Sequence, residues 1–176
     1  MLSKILLIIA AAVAAFLGYV ALLPATGVVS RSAVIAAPAD AIFPHINSLK
    51  QWDAWSPWAK LDPKAKSSLE GPEAGVGSAF RWDGNSEVGT GKMTILESEP
   101  NSRVKIKLDF EKPFANTSVA DFTLQPEAGG TRVSWTMTGE RPFLARAMCT
   151  LFRADAMVGS MFEKGLANLA VASGAK

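Results

Sequence analysis

The chain has 176 residues, with 18 basic against 16 acidic side chains and a formal net charge of +2. So even a balance gives no footing for nucleic acid or for a strongly charged partner. One cysteine, Cys149, and one histidine, His45, exclude an intramolecular disulfide, a structural zinc or iron–sulfur site and any two-histidine chemistry, so no metal and no cofactor is expected.

Met1-Leu2-Ser3-Lys4 leads into Ile5–Leu23, a run of 19 residues without a charged side chain. As a helix this run spans about 28 Å, close to the hydrocarbon core of a bilayer. Its exit, Ala21-Leu22-Leu23-Pro24-Ala25, puts leucine where a signal peptidase needs a small residue. The expectation is a retained signal anchor with its tether over residues 1–27, keeping Met1, the N-terminus cytoplasmic beside Lys4 and the domain extracytoplasmic. Arg31 behind the span weakens that orientation. Val28-Val29-Ser30 is a weak alternative cleavage site that would release a secreted protein. Leu23-Pro24-Ala25-Thr26-Gly27 has the letters of a sortase signal, but the apolar run lies on the wrong side of it. Pro24 and Gly27 read instead as a helix end and the start of the tether.

Residues 28–176 suffice for one domain with a sizeable core. Val28–Ala36 predicts a first strand. Ala37-Pro38-Ala39-Asp40 opens a helix carrying Ile42, Phe43 and Ile46, with a kink at Pro44. Two short helices are expected in this stretch, and Trp52, Trp55 and Trp58 follow at every third position. From Lys66 to Glu140 the pattern alternates with period two. Val104, Ile106, Leu108 and Phe110 share one face of a strand over Arg103–Glu111; Arg103, Lys105, Lys107, Asp109 and Glu111 share the other. Ala120, Phe122 and Leu124 repeat the pattern, as do Val133, Trp135 and Met137. Turn residues separate six strands starting near Ser67, Ser78, Gly91, Arg103, Ser118 and Thr131.

Pro142 opens a long helical tail. Val158, Met161, Phe162, Leu166 and Leu169 line one face, and Gly159 and Gly165 predict a bend or a close approach to the sheet. The fold class is therefore α+β: a curved seven-stranded antiparallel sheet wrapped around a long C-terminal helix, with space between them for a small molecule.

Several stretches carry a family resemblance. They are the first strand running into Ala37-Pro38-Ala39-Asp40-Ala41-Ile42-Phe43, Trp55-Ser56-Pro57-Trp58 followed by Asp62-Pro63, and Gly75-Val76-Gly77 ahead of Phe80 and Trp82. Gly91-Lys92-Met93-Thr94-Ile95, Gly130-Thr131-Arg132-Val133-Ser134-Trp135 and Phe162-Glu163-Lys164-Gly165-Leu166 complete the set. Together they resemble the SRPBCC group, the START-like or helix-grip proteins, with their polyketide cyclase/dehydrase-like members. The resemblance covers roughly Ser30 to Leu169 and implies a hydrophobic-ligand cavity. It implies no reaction, because the group mixes lipid carriers, aromatic cyclases and co-chaperones.

The expected function is a membrane-tethered binding module for a small hydrophobic ligand, lipid-like or polyketide-like. The candidate lining is Val104, Ile106, Leu108, Phe110, Phe122, Trp135, Met137, Met161 and Phe162, each equally a core residue, with Trp55 and Trp58 at the mouth or plugging one end. Arg81, if it points inward, would anchor the acidic end of an amphipathic ligand. Glu97 follows Ile95 and Leu96 with its facing open, and is the least excluded carboxylate; Asp109, Glu111 and Asp121 should face water. A cyclase/dehydratase on the same cavity would need Glu97 or Arg81 inside it. A ligand-free interaction domain, as in co-chaperones, is the third reading. Lys92 lacks the residues of a phosphate loop around it, and Gly75-x-Gly77 lacks the third glycine of a dinucleotide site.

Overall fold

The computed structural model describes residues 2–175. Met1, whose retention the anchor reading expects, lies outside them. The apolar run forms helix α1 (Leu2–Leu22), exposed along almost its whole length, with Val20 as its one buried residue. Leu23, Pro24 and Ala25 then lead directly into β1 (Thr26–Ile35). The link is thus shorter than expected: Gly27 and Val29 are already buried strand residues. Gly27 is no tether glycine. It is bare because the Arg141 guanidinium lies over it, 1.9 Å from where a Cβ would stand.

Helix α2 (Ala39–Asn47), a turn of 3-10 helix (Leu49–Gln51) and the short α3 (Trp52–Trp55) follow. Six strands come next: β2 (Lys66–Glu70), β3 (Ala79–Asp83), β4 (Thr90–Glu99), β5 (Arg103–Lys112), β6 (Asn116–Glu127) and β7 (Gly130–Glu140). They form one seven-stranded antiparallel sheet in the order β1-β7-β6-β5-β4-β3-β2. The connections are hairpins except between β1 and β2, where the helices intervene; β1 then closes against β7.

The period-two pattern is obeyed across the sheet. Ile95, Val104, Ile106, Ala120, Phe122, Leu124, Val133 and Trp135 are buried on the inner face. The outer face carries a lattice of ion pairs: Lys92 with Glu70 at 2.7 Å, Lys105 with Glu97 at 3.0 Å, Lys107 with Asp109 at 3.0 Å, and Arg132 with Glu127. The Lys92 ammonium holds the Glu70 carboxyl below the usual carboxylate range.

The helical tail is two helices, not one. Helix α4 (Phe143–Phe152) ends at Arg153, which adopts the left-handed conformation (φ 51°, ψ 40°), and α5 (Ala154–Ala172) starts immediately after. Helix α5 packs along β1 and against α2 and α3. The chain does not break at Gly159 or Gly165, because both serve the close approach. The Arg31 guanidinium occupies the Cβ position of Gly159, on its way to Glu163 Oε1 at 2.6 Å; the Trp135 ring lies 2.7 Å from that of Gly165.

Candidate functional site

The space between the inner face and α5 divides into two halves. The half beneath α3 and the middle of α5 is filled with aromatic rings. Trp135 stacks on Phe162 with centroids 4.1 Å apart and planes 8° from parallel; Phe122 lies 4.8 Å from Trp135 on the other side. Trp52 and Trp55 cross above them at 4.7 Å, and Trp58 meets both Trp135 (5.8 Å) and Phe162 (6.1 Å) edge-on. Each such pair adds about 0.5–1.5 kcal/mol beyond simple burial. The Trp52 and Trp55 indoles donate to the carbonyls of Ile46 (3.0 Å) and His45 (2.9 Å). Their regular spacing thus serves packing, with α3 placing two rings inward. The Trp135 indole N–H is buried without an acceptor among the described residues.

The other half lies toward the end of the sheet where β1 begins and β7 ends. There the inner face carries Trp82, Leu108, Phe110 and Met137, all half-buried rather than buried. The register sets Trp82 beside Gly91 and Phe110, Leu108 beside Ser118, and Ser118 beside Gly139. Gly91 thus lies between Trp82 and Phe110 in one rung, and Ser118 and Gly139 follow Leu108 in the next. Trp82 lies over Gly91, 2.6 Å from its Cβ position, and meets Phe110 edge-on at 5.8 Å. Ser118 Oγ, buried, accepts from Asn116 Nδ2 at 3.3 Å. On α5, Val158 and Met161 are half-buried as well. Two arginines border this half: Arg31 of β1, in register with Trp135, reaches Glu163 on α5, and Arg141 lies over Gly27 and pairs with Asp155.

Of the expected lining, Val104, Ile106, Phe122, Trp135 and Phe162 are fully committed to the core, as is Trp55. Leu108, Phe110, Met137, Met161 and Trp58 keep part of their surface free. Arg81 and Glu97 stand on the other side of the sheet. Arg81 alternates outward between Phe80 and Trp82 and pairs with Glu111 at 3.1 Å and Glu70 at 3.6 Å. Glu97 would share the inner face with Ile95 by simple alternation. A bulge at Leu96 inserts one residue, so Glu97 pairs with Lys105 and bonds its ammonium. An extra residue in one strand flips everything beyond it. Sequence reasoning left out Trp82, although its position two residues from Phe80 on a strand carries the signal.

Two surface depressions lie elsewhere. One is on the outer face among Arg103, Lys105, Asp121 and Thr136; the other sits at the β3–β4 turn beside Lys112 and Pro113. The first is floored by the Arg103–Asp121 pair at 2.5 Å, in which the carboxylate raises the guanidinium's affinity for its proton. It is a structural ion pair on a solvated face.

A family model described as polyketide cyclase/dehydrase and lipid transport matches residues 26–174. Its first matched residue is also the first residue of β1. No curated protein matches the chain. Among solved structures, protein MLL2253 from Mesorhizobium loti superposes with a TM-score of 0.58 at 21% identity, over 84% of this chain and 95% of that one. An uncharacterized protein from Rhizobium leguminosarum gives 0.60 at 14%, over 84% and 94%. CalU16 from Micromonospora echinospora gives 0.53 at 17%, over 86% and 80%. At such identities the likeness is one of fold.

Proposed function

The chain belongs to the polyketide cyclase/dehydrase and lipid transport family, and on that premise we propose that it is a membrane-tethered binding module for a small hydrophobic ligand. The observation that carries the reading is the incomplete burial of Trp82, Leu108, Phe110 and Met137 on the inner face, which we read as an apolar trough. Burial of a ligand's apolar surface there is worth about 25 cal/mol per Å². The register puts these residues at the end of the sheet where α1 joins β1, so in this reading a molecule leaving the bilayer beside α1 meets them first. Helix α1 is long and apolar enough to cross a membrane, and it serves in this reading as a retained anchor with the domain on the extracytoplasmic side.

The cyclase/dehydratase alternative has less support. Its two candidate groups, Arg81 and Glu97, are engaged in outer-face ion pairs. The closed, ring-filled half of the interior favours a second reading, an interaction domain that holds no ligand.

One experiment separates the two. Protein extracted in detergent is analysed by mass spectrometry for bound apolar molecules, then titrated with a fluorescent fatty acid. Saturable binding that Met137→Lys weakens at least tenfold, with folding retained, supports the trough. Absence of both a copurifying molecule and saturable binding gives the ligand-free reading the advantage.

A further inference from the structure

Helix α4 is built inside out for a protein in water. Phe143, Leu144, Met148, Leu151 and Phe152 fall within one half of its circumference, and every one is exposed, Leu144 at 71% and Leu151 at 64%. The opposite half carries Arg146, Cys149 and Thr150, all turned partly inward. An ordinary surface helix does the reverse.

The polar half explains the orientation. Arg146 Nη1 donates to the carbonyl of Leu23 at 2.5 Å and approaches that of Ala21 at 3.4 Å. These lie at the C-terminal end of α1, where backbone carbonyls have no partner within the helix and a cation is favoured. Helix α4 is thus docked on the last turn of α1, and both helices expose apolar side chains beside that junction. Tyr19, one turn before the exit, is 55% exposed on the same helix, the side-chain type favoured at a membrane interface. Phe114, 78% exposed, tips the β5–β6 hairpin. The register Phe110–Asn116, Ser118–Gly139 and Thr26–Glu140 places that hairpin at the same end of the sheet as α1's exit.

We propose that α4 lies in the lipid interface, its stripe of Phe143, Leu144, Leu151 and Phe152 embedded among the acyl chains beside α1, with Phe114 as a second contact. The inference rests on the tether reading, since α1 brings α4 to the bilayer. It goes beyond that reading by giving the folded domain a lipid-contacting face of its own. A half-embedded amphipathic helix buries its apolar side about 5–10 Å into the headgroup–acyl boundary, which matches a stripe covering one side of α4 only.

The test uses full-length protein in vesicles of phosphatidylcholine and phosphatidylglycerol. In a Cys149→Ser background, an environment-sensitive fluorophore is placed at Leu144→Cys or Leu151→Cys on α4, at Ile9→Cys in mid-α1, and at Ala128→Cys in the β6–β7 turn. Nitroxide-labelled lipids then report depth. The expected result is several-fold stronger quenching by shallow nitroxides at 144 and 151 than at 128, with deep quenching at 9. Quenching at 9 alone overturns the interfacial helix and leaves the anchor standing. Quenching at 144 and 151 without 9 removes the anchor and keeps the helix in lipid. No quenching at any site removes both. A blue-shifted probe on α4 that lipid nitroxides do not reach would put a protein, such as a second copy, on the stripe and overturn the lipid assignment. If either leucine variant loses the near-ultraviolet signature of the tryptophan cluster, Phe152→Cys takes its place.

Discussion

Two glycines of α5 look alike in the sequence and differ in what a methyl group would meet. At Gly165 it meets the Trp135 ring at 2.7 Å and Pro57 at 3.3 Å. Neither ring can swing away, because Trp135 is stacked on Phe162. Gly165→Ala is expected to lose about 1–3 kcal/mol, the usual cost of overpacking. At Gly159 the obstacle is the far end of Arg31, a flexible side chain 36% exposed. Swinging it out sacrifices the pair with Glu163, a surface contact worth about 0–1 kcal/mol, while alanine regains about 1 kcal/mol of helix propensity over glycine. Gly159→Ala should therefore be near neutral. Urea unfolding followed by tryptophan fluorescence compares the two, and equal losses would contradict the difference in packing.

The same residue scale shows where the sequence was silent. Strict alternation across Arg103–Glu111 is visible because each inner residue is apolar and each outer one charged. Glu97 offers no such contrast: Leu96 beside it is apolar yet 42% exposed, and a bulge leaves no mark in composition. Leu108 and Phe110 were named for the lining along with Val104 and Ile106, although only the first pair stays half-buried. A face can be read from periodicity; how far the covering elements reach along it cannot.

Among the elements, the strands were the most legible. Six expected starts between Ser67 and Thr131 fall within two residues of the observed ones. Helices α4 and α5 read as one tail in the sequence, because Phe143–Ala172 contains no proline and both glycines lie beyond the break. The break is Arg153, left-handed without being glycine. Such a residue carries a steric cost of roughly 1–2 kcal/mol. Arg153→Gly is expected to stabilise the chain by up to about 1 kcal/mol, the glycine's greater freedom in the unfolded state offsetting part of the gain. Thermal denaturation should register a modest rise; a fall would show that the arginine side chain holds the junction.

The outer face of the sheet makes a prediction about acid. Lys92 holds the Glu70 carboxyl below its ordinary range, and Arg132 does the same for Glu127. Burial pushes Asp109 up, but hydrogen bonds from Lys107 and Thr117 outweigh it and the net direction is also down. Depressed folded-state values mean that these groups contribute stability fully present above the unfolded carboxylate pKa of about 4 and lost as pH falls through the folded values beneath it. Denaturant midpoints should be flat from pH 7 to pH 5 and decline below about pH 4. Because the groups are exposed, added salt at neutral pH should reduce their contribution.

For the whole molecule, the boundary between apolar helix and domain is the decisive cut. Removing α1 and starting at Thr26 preserves every rung between β1 and β7. Starting at Ser30 deletes the pairs from Thr26–Glu140 to Val29–Met137 and with them the buried Val29 side chain. The shorter chain should be less stable by at least about 1.5–3 kcal/mol, the value of one buried aliphatic side chain. Urea titrations of the two truncated proteins measure this difference. We further expect the full-length chain to sediment with membranes and to resist high-salt extraction; a soluble extracytoplasmic protein beginning near Arg31 would contradict the anchor.

The link of Leu23, Pro24 and Ala25 has a geometric corollary once α1 is placed in a bilayer. Three residues reach about 10 Å at most, less than the length of any long strand, and Arg146 of α4 donates to the Leu23 carbonyl of the link. With α1 as an anchor, the domain would be held with its end bearing Thr26 and Glu140 next to the membrane surface. Its far pole, the β4–β5 and β6–β7 turns, stands about 35 Å from the near one, since β7 is 11 residues long and a strand rises about 3.4 Å per residue. In that placement a collaborator diffusing in the aqueous phase has free access to that pole and to the charged outer face of the sheet. On the proposed reading, α1 is an anchor and the trough holds a ligand. A donor or acceptor lying in or on the membrane then has the shortest path to it, and the search between the two is confined to two dimensions.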